Sequence, residues 1–354
     1  MSSRNNKGDS CPMMKTSIGG QALMEGIMMR GPQTTAMAVR NPQGKIVLEK
    51  FPTSTKKRSV LYRIPIVRGI FNFGSSMALG YKCLMRSAEI SGLEEAEAEL
   101  EREKRERKAQ KAAKKAARRG EPVPEPTPVE EATDGSAEDK KQSSAFVNVV
   151  MVLSVILAVV IAVGLFFVLP VWLYGLLGKL IPSIENNRFI MSAFEGVVRV
   201  LLLVGYMLAV SCMKDIRRTY MYHGAEHKTI FCYESGLELT VENVKKERRF
   251  HPRCGTSFLV LMVFVSIVVG FFIPPAIPKL WRSLIKVALI PIIVGIGYEL
   301  IKICGKYDNW LTRIIAAPGL AFQRLTVFEP TDDMIECAIA AMKEVIPEDG
   351  SDKV

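Results

Sequence analysis

The stretch AFVNVVMVLSVILAVVIAVGLFFVLP, from Ala145 to Pro170, contains no charged residue and exceeds the roughly 20 residues an α-helix needs to cross a hydrocarbon core. No other feature restricts the fold as strongly, because a helix apolar on every side has no face to offer water. We read it as a transmembrane helix. Three further spans are expected at about 197–213 (VVRVLLLVGYMLAVSCM), 257–280 (SFLVLMVFVSIVVGFFIPPAIPKL) and 284–304 (LIKVALIPIIVGIGYELIKIC). Arg199 lies near one end of the second span, where its side chain can snorkel, and Glu299 lies in the fourth. A secretory signal is not expected, since the first apolar span begins some 145 residues into the chain.

Composition agrees with this division. The 354 residues are 49% hydrophobic yet carry 47 basic and 36 acidic side chains, a formal charge of +11. Such a mixture arises when apolar and charged residues are segregated into blocks. The basic residues also orient the spans: the loop 214–256 is dense in Lys and Arg, whereas the connections near 171–196 and 281–286 hold far fewer. The positive-inside rule places 214–256 in the cytoplasm, and four spans then place both termini there too. Seven cysteines, Cys11, Cys83, Cys212, Cys232, Cys254, Cys304 and Cys337, form no C-x-x-C pair, and in that topology disulfides are not expected.

The remaining blocks complete the expected organisation. Residues 14–92 read as a small cytoplasmic α+β unit. TAMAVRN and GKIVLEKF form a strand pair around the turn NPQG, and IPIVRGIFNFGSSMALGYKCLMRSAEI has apolar residues at helical spacing, suited to lie on the membrane or on the site domain. GGQALMEGIMMRGP opens this unit; Glu25 and Arg30 either face a ligand or make a turn and an ion pair. Residues 93–144 are a charged, then Pro-rich linker. Its basic residues offer weak contact with anionic lipid, and the acids interleaved among them argue against specific nucleic-acid binding. The first transmembrane pair spans 145–213, the cytoplasmic loop 214–256, the second pair 257–304, and a C-terminal cytoplasmic helical segment 305–354. In that last segment Thr331 is placed to cap a helix whose apolar face, Met334, Ile335, Ala338, Ile339, Met342 and Val345, packs on the N-terminal unit or the loop.

Histidine is scarce, with only three in the chain, and their placement carries the functional reading. His223 and His227, at i and i+4 in YHGAEHKTI, share one helix face and can reach one metal ion. Glu226, beside the second, stands where a general base would take a proton from water. The pattern H-x-x-E-H is the inverted form of the zinc-protease motif H-E-x-x-H, and alone it is weak. The third histidine, His251, occurs with Cys254 in HPRC, and both are good zinc ligands. Glu299 is a further candidate, since inverted zinc proteases take a downstream glutamate as third ligand and an ionisable residue in a span suggests function. Its simpler role is a pair with Lys302. The expected topology brings all of these to the cytoplasmic face. If His223, His227, His251 and Cys254 all bind, the zinc is a closed structural clamp; if three groups bind, the site is open and hydrolytic.

GGQALMEGIMMRGP, YHGAEHKTI, HPRCGTSFL, GYELIK and PGLAFQRLTVFEPTDDMIECAI together resemble the YqhQ family of bacterial membrane proteins, over nearly the whole chain outside 94–141. That resemblance implies an inner-membrane protein of a family described as predicted metal-dependent enzymes. One departure is VFEP, with Val327 and Phe328 where polar or basic residues would be expected, which weakens any site role for that segment. The expected molecule is therefore mainly α: a polytopic helical membrane protein of about four transmembrane helices with a small α+β cytoplasmic portion. The expected function is a zinc-dependent hydrolase at the cytoplasmic face, substrate undefined, with Glu226 as base and ligands drawn from His223, His227, His251, Cys254 and Glu299. The alternative is a membrane scaffold or assembly factor with a structural zinc site. A transporter ranks last because no pair of spans reads as broken.

Overall fold

The computed structural model describes residues 14–53, 64–92, 137–184, 187–307 and 309–353, with two isolated positions, 102 and 107. These fall into two compact units, one within Met1–Ser91 and Pro170–Val354, the other within Gly92–Leu169. The expected linker lies outside the described residues up to 136, apart from the isolated positions. The molecule is mainly helical with one small antiparallel sheet.

Four strands, β1 (Gly19–Leu23), β2 (Gly26–Arg30), β3 (Thr34–Arg40) and β4 (Ile46–Pro52), pair antiparallel in chain order. The β3–β4 pair is the one expected around NPQG. Its turn needs glycine, because Gly44 has φ +78° while its N–H closes on the Asn41 carbonyl at 2.9 Å. β1 and β2 form a second hairpin whose turn holds Glu25 at φ +49°. The period of two sorts side chains to opposite faces. Ile27, Met29, Ala36 and Ala38 point into the main core, while Met28, Met37, Val39 and Leu23 pack against Cys83 of helix α1 (Val67–Ser91).

The main core is closed by helices. α5 (Lys214–Glu234) contributes Tyr222, Ala225 and Ile230, and α6 (Val241–Lys246) contributes Val244. α11 (Asp332–Lys343) buries Met334, Ile335, Ala338 and Met342 in the same cluster. Its apolar face thus packs on both the N-terminal sheet and α5. Thr331 is its N-cap residue but makes no side-chain capping bond. The first and last described segments meet beside α5. The Thr16 hydroxyl donates to Asp352 at 2.7 Å, the Ser17 N–H reaches the Asp352 carbonyl at 2.6 Å, and the Tyr233 hydroxyl donates to the same carboxylate at 2.9 Å.

The apolar segments form α2 (Ala137–Val163), a π-turn at Gly164–Val168, α3 (Leu169–Leu180), α4 (Arg188–Ser211), α7 (Gly255–Gly270), α8 (Lys279–Ala288), α9 (Ile290–Lys306) and α10 (Trp310–Thr326). By length and composition, two runs are able to cross a membrane: Val152–Leu180, of 29 residues, and Arg188–Ser211, of 24. A third exists if α8 and α9, bent by 45° at their junction, count as one. The expectation of four spans is corrected here. α7, at 16 residues, is about 24 Å long against a hydrocarbon core of about 30 Å, and the prolines of IPPAIP follow its end. The fourth expected span is broken near Leu289, where Pro291 opens α9, so an intact pair of spans was the wrong expectation there too.

α8 is inside out by the standards of a water-soluble protein. Arg282, Ser283 and Lys286 are buried, while Leu280, Trp281 and Leu284 are exposed. Burying cations and exposing large apolar groups is costly in water and favourable in hydrocarbon.

Candidate metal centre

His223 and His227 sit one turn apart on α5, with ring centroids 4.4 Å apart. Each ring is fixed by a backbone carbonyl. His223 Nδ1 is 3.1 Å from the Thr326 oxygen and His227 Nδ1 is 2.6 Å from the Arg249 oxygen. A carbonyl only accepts, so each Nδ1 carries the proton and each Nε2 is left with a free lone pair. This is how metal-ligating imidazoles are usually held. The two lone pairs have one common neighbour: His223 Nε2 is 3.0 Å from Cys254 Sγ, and the ligand atoms of His223, His227 and Cys254 all lie within 4.8 Å of one another. His227 Nε2 is buried and makes no hydrogen bond among the described residues. Ligands at opposite corners of a tetrahedral zinc site stand about 3.5 Å apart, so the donor set fits such an ion.

Cys254 reaches this point because it is the N-cap of α7, its sulfur accepting from the Thr256 N–H at 3.4 Å. Burial pushes the thiol up, but the adjoining His227 and the Thr256 hydroxyl and N–H outweigh it, so the thiol ionises below its ordinary value. Burial lowers His227, and the neighbouring His223 lowers it further, which keeps the ring neutral. Both shifts favour the forms that bind metal.

Glu226 is buried beside the trio. Burial raises its carboxyl to about 7, partly offset by His223 and by the nearby Gly20 backbone. β1 has no room to spare at this point: a Cβ on Gly20 would lie 2.8 Å from the Met28 oxygen and 2.9 Å from the Glu226 carboxyl carbon. Glycine is thus what lets the edge strand close on the acid. A cavity of about 660 Å³ opens in front, lined by His223, Glu226, His227 and Cys254. Its walls are β1 with the residues leading into it, from Thr16 to Ala22, and Tyr298, Ile301 and Lys302 of α9.

His251 is close to this cluster without joining it. Its ring lies 5.6 Å from that of His227 and 4.7 Å from that of Phe231, and its Nε2 faces Glu234 at 3.8 Å and Arg253 at 3.4 Å. Buried Glu234 accepts from the Thr16 N–H at 2.9 Å and pairs closely with Arg253. The HPRC backbone is clamped by the buried Gln323 amide, which accepts from the His251 N–H at 2.8 Å and donates to the His251 oxygen at 2.6 Å. Its remaining N–H donates to Ser257 at 2.8 Å.

Glu299 is likewise not brought to the cluster. Its carboxylate is gripped by both arms of the Arg68 guanidinium, with Nε at 2.6 Å, and Lys302 is not its hydrogen-bond partner. Glu25 resolves as a turn with an ion pair: Arg218 holds it at 2.5 and 2.6 Å, and Arg30 donates to Ser76 at 3.2 Å.

Sequence reasoning passed over Gly20, Gln323 and Thr326. The VFEP segment also positions the site through its backbone. The Phe328 N–H bonds the Tyr220 oxygen at 3.0 Å, and a Cβ on Gly224 would lie 2.0 Å from the Phe328 oxygen. That close approach sets the Thr326 carbonyl against His223. Only the small residue between His223 and Ala225 hinted at it.

A family model described as a protein of unknown function, DUF1385, matches residues 64–348. A Bacillus subtilis protein named "Uncharacterized protein YqhQ" is 31% identical over 333 residues, covering 93% of this chain and 92% of that protein. No solved structure matches the chain.

Proposed function

Because this chain belongs to the YqhQ family, DUF1385, we propose from its own chemistry that it is a membrane-bound, metal-dependent hydrolase working at the cytoplasmic face of the bacterial inner membrane. The observation that carries this reading is the three-ligand set beside an open cavity. His223, His227 and Cys254 converge, His251 is committed to Glu234 and Arg253, and Glu226 lines the same space. Three protein ligands and one free position are the pattern of a catalytic rather than a structural zinc.

Zinc or a similar divalent ion held there supplies electrophilic polarisation of a scissile carbonyl or phosphoryl oxygen and acidifies water. The Thr326 and Arg249 carbonyls orient the two imidazoles. The close approach of β1 at Gly20 packs against the Glu226 carboxylate. Glu226, with its carboxyl raised to about 7, accepts a proton from water and returns it to the leaving group at neutral pH. The walls from β1 and α9 position the substrate and limit solvent.

The inside-out face of α8 supports a membrane setting, as do the two long apolar runs. Basic residues concentrated in α5 and the following loop support a cytoplasmic site with both termini on that side.

A scaffold with a structural metal is the second reading, favoured by the burial of His227 and Cys254 and by their joining α5 to the start of α7. Glu226→Gln separates the two. In the hydrolase it keeps the metal and the fold but fails to complement a deletion strain, a loss of about 10²- to 10⁴-fold in rate. Full complementation by a metal-loaded, normally expressed Glu226→Gln protein would establish the scaffold instead.

A further inference from the structure

We propose that the cavity in front of the metal centre takes an amphiphile with one anionic group, a phosphate or a carboxylate, held by Lys302 and Lys306 while its apolar part lies against Ala22, Tyr298 and Ile301. Calling that ligand the substrate rests on the hydrolase reading. Its chemistry rests on the lining alone.

Glu226 is the one acid among the described residues that line the cavity, whereas Arg253, Lys302 and Lys306 are cations. Arg253 is already engaged, by Glu234 and by the Thr16 carbonyl at 2.6 Å. Lys302 and Lys306 are not. They stand one turn apart near the end of α9, so both ammonium groups serve one face. Their side chains are exposed and make no hydrogen bond or ion pair among the described residues. Lys306 rests only against the Tyr307 ring, 5.6 Å from its centroid.

The groups that would quench these two charges are occupied elsewhere. Glu299, three positions before Lys302, has both carboxylate oxygens taken by Arg68. The carbonyls that end α9 carry the negative pole of the helix, and they accept from a third lysine: Lys15 Nζ lies 3.0 Å from the Gly305 oxygen and 3.4 Å from the Lys306 oxygen. A cleft walled by one sign of charge gathers ligands of the other.

The apolar part of the wall is an independent observation. Ala22 of β1 and Tyr298 and Ile301 of α9 line the same space and are only half-buried. The Tyr298 hydroxyl accepts from Asn72 at 3.0 Å, which leaves the ring as its share of the lining. An alkyl or acyl chain covers such a wall and removes apolar surface from water, which a small hydrophilic anion does not.

The test titrates the full chain by calorimetry, in non-ionic detergent at low ionic strength, with hexylphosphonate, heptanoate, inorganic phosphate and hexyltrimethylammonium. Hexylphosphonate or heptanoate should bind saturably and more tightly than inorganic phosphate, and the tighter of the two assigns the anionic group. Lys302→Gln combined with Lys306→Gln, both exposed, should keep the fold and the metal and weaken that binding about tenfold. Ile301→Ala should weaken hexylphosphonate and leave inorganic phosphate unchanged. The proposal is overturned if neither amphiphilic anion binds, if the cationic analogue binds equally, if inorganic phosphate binds as tightly as hexylphosphonate, or if the double variant binds as the parent does. Metal content on the same samples keeps the two readings apart. Metal-free protein that binds the anion through the lysines removes the hydrolase and supports this ligand class, whereas metal-loaded protein without lysine-dependent binding overturns the ligand class alone.

Discussion

His223 Nε2 and Cys254 Sγ stand 3.0 Å apart across 31 positions of sequence, joining the middle of α5 to the first turn of α7. A divalent ion bound between them would hold those elements together. Purified protein should carry about one such ion per chain by elemental analysis, and His223→Ala, His227→Ala and Cys254→Ser should each lose it. Acidification should also release it, because imidazole and thiol bind metal only when deprotonated. Unchanged metal content in the two histidine variants would remove the metal centre altogether.

Gly20→Ala tests the contact between β1 and Glu226. The added Cβ meets the Met28 oxygen and the Glu226 carboxyl at under 3 Å, and overpacking of this kind costs about 1–3 kcal/mol. Metal content should be retained and complementation reduced, since Glu226 moves and the ligands do not. A variant as stable and as active as the parent would show that β1 does not position the acid.

In the proposed centre Glu234 and His251 act as supports and not as ligands, since the His251 ring faces Glu234 and Arg253. Glu234→Gln should keep the metal while costing about 3 kcal/mol at pH 7, because it strips a buried partner from Arg253. Burial acts to raise the Glu234 carboxyl, but His251, Arg253 and the Thr16 N–H outweigh it and hold it below 4.5. Its stabilising contribution is therefore present above 4.5 and lost as pH falls through the depressed value. Unfolding curves of parent and variant should converge in that acid range. Loss of metal in His251→Gln would return His251 to the ligand set.

Glu299→Gln should leave the metal in place, since Arg68 occupies the carboxylate. Arg68→Met should lower stability, and the double variant should be less destabilised than the sum of the singles, the signature of a direct pair. Metal loss on Glu299→Gln alone would overturn that assignment.

Topology is tested by reporter fusions after residues 145, 230 and 320, expected in the cytoplasm, and near 185, expected outside. An external signal at 230 would place the metal centre on the wrong side for the proposed function.

The pair His223/His227 was legible because a helix repeats its face every 3.6 residues, and Cys254 because a metal needs a further donor. His251 and Cys254 are only three positions apart, yet their roles diverge. The reason lies in Glu234, two turns beyond His227 on α5, which takes up His251, and no local pattern reports such a competitor. Glu299 announced itself as a charge in an apolar run, but Arg68 lies 231 positions away in a helix whose pattern gives no sign of that partner. Strands β3 and β4 showed the expected alternation because β4 is partly exposed. The β1–β2 hairpin did not, since β2 is buried on both faces and has no polar side to mark its period. The break in α8–α9 was hidden because a proline in the first turn is compatible with a continuous apolar stretch.

The hydrogen bonds from Thr16 and Tyr233 to Asp352 have a consequence for synthesis. One wall of the cavity, beginning at Thr16, is anchored by a residue that is made after all of the apolar helices. Until then the mouth of the cavity lacks that anchor. Closure of that wall is therefore a late step in the folding of the chain, because Thr16 stays untethered until Asp352 has been made.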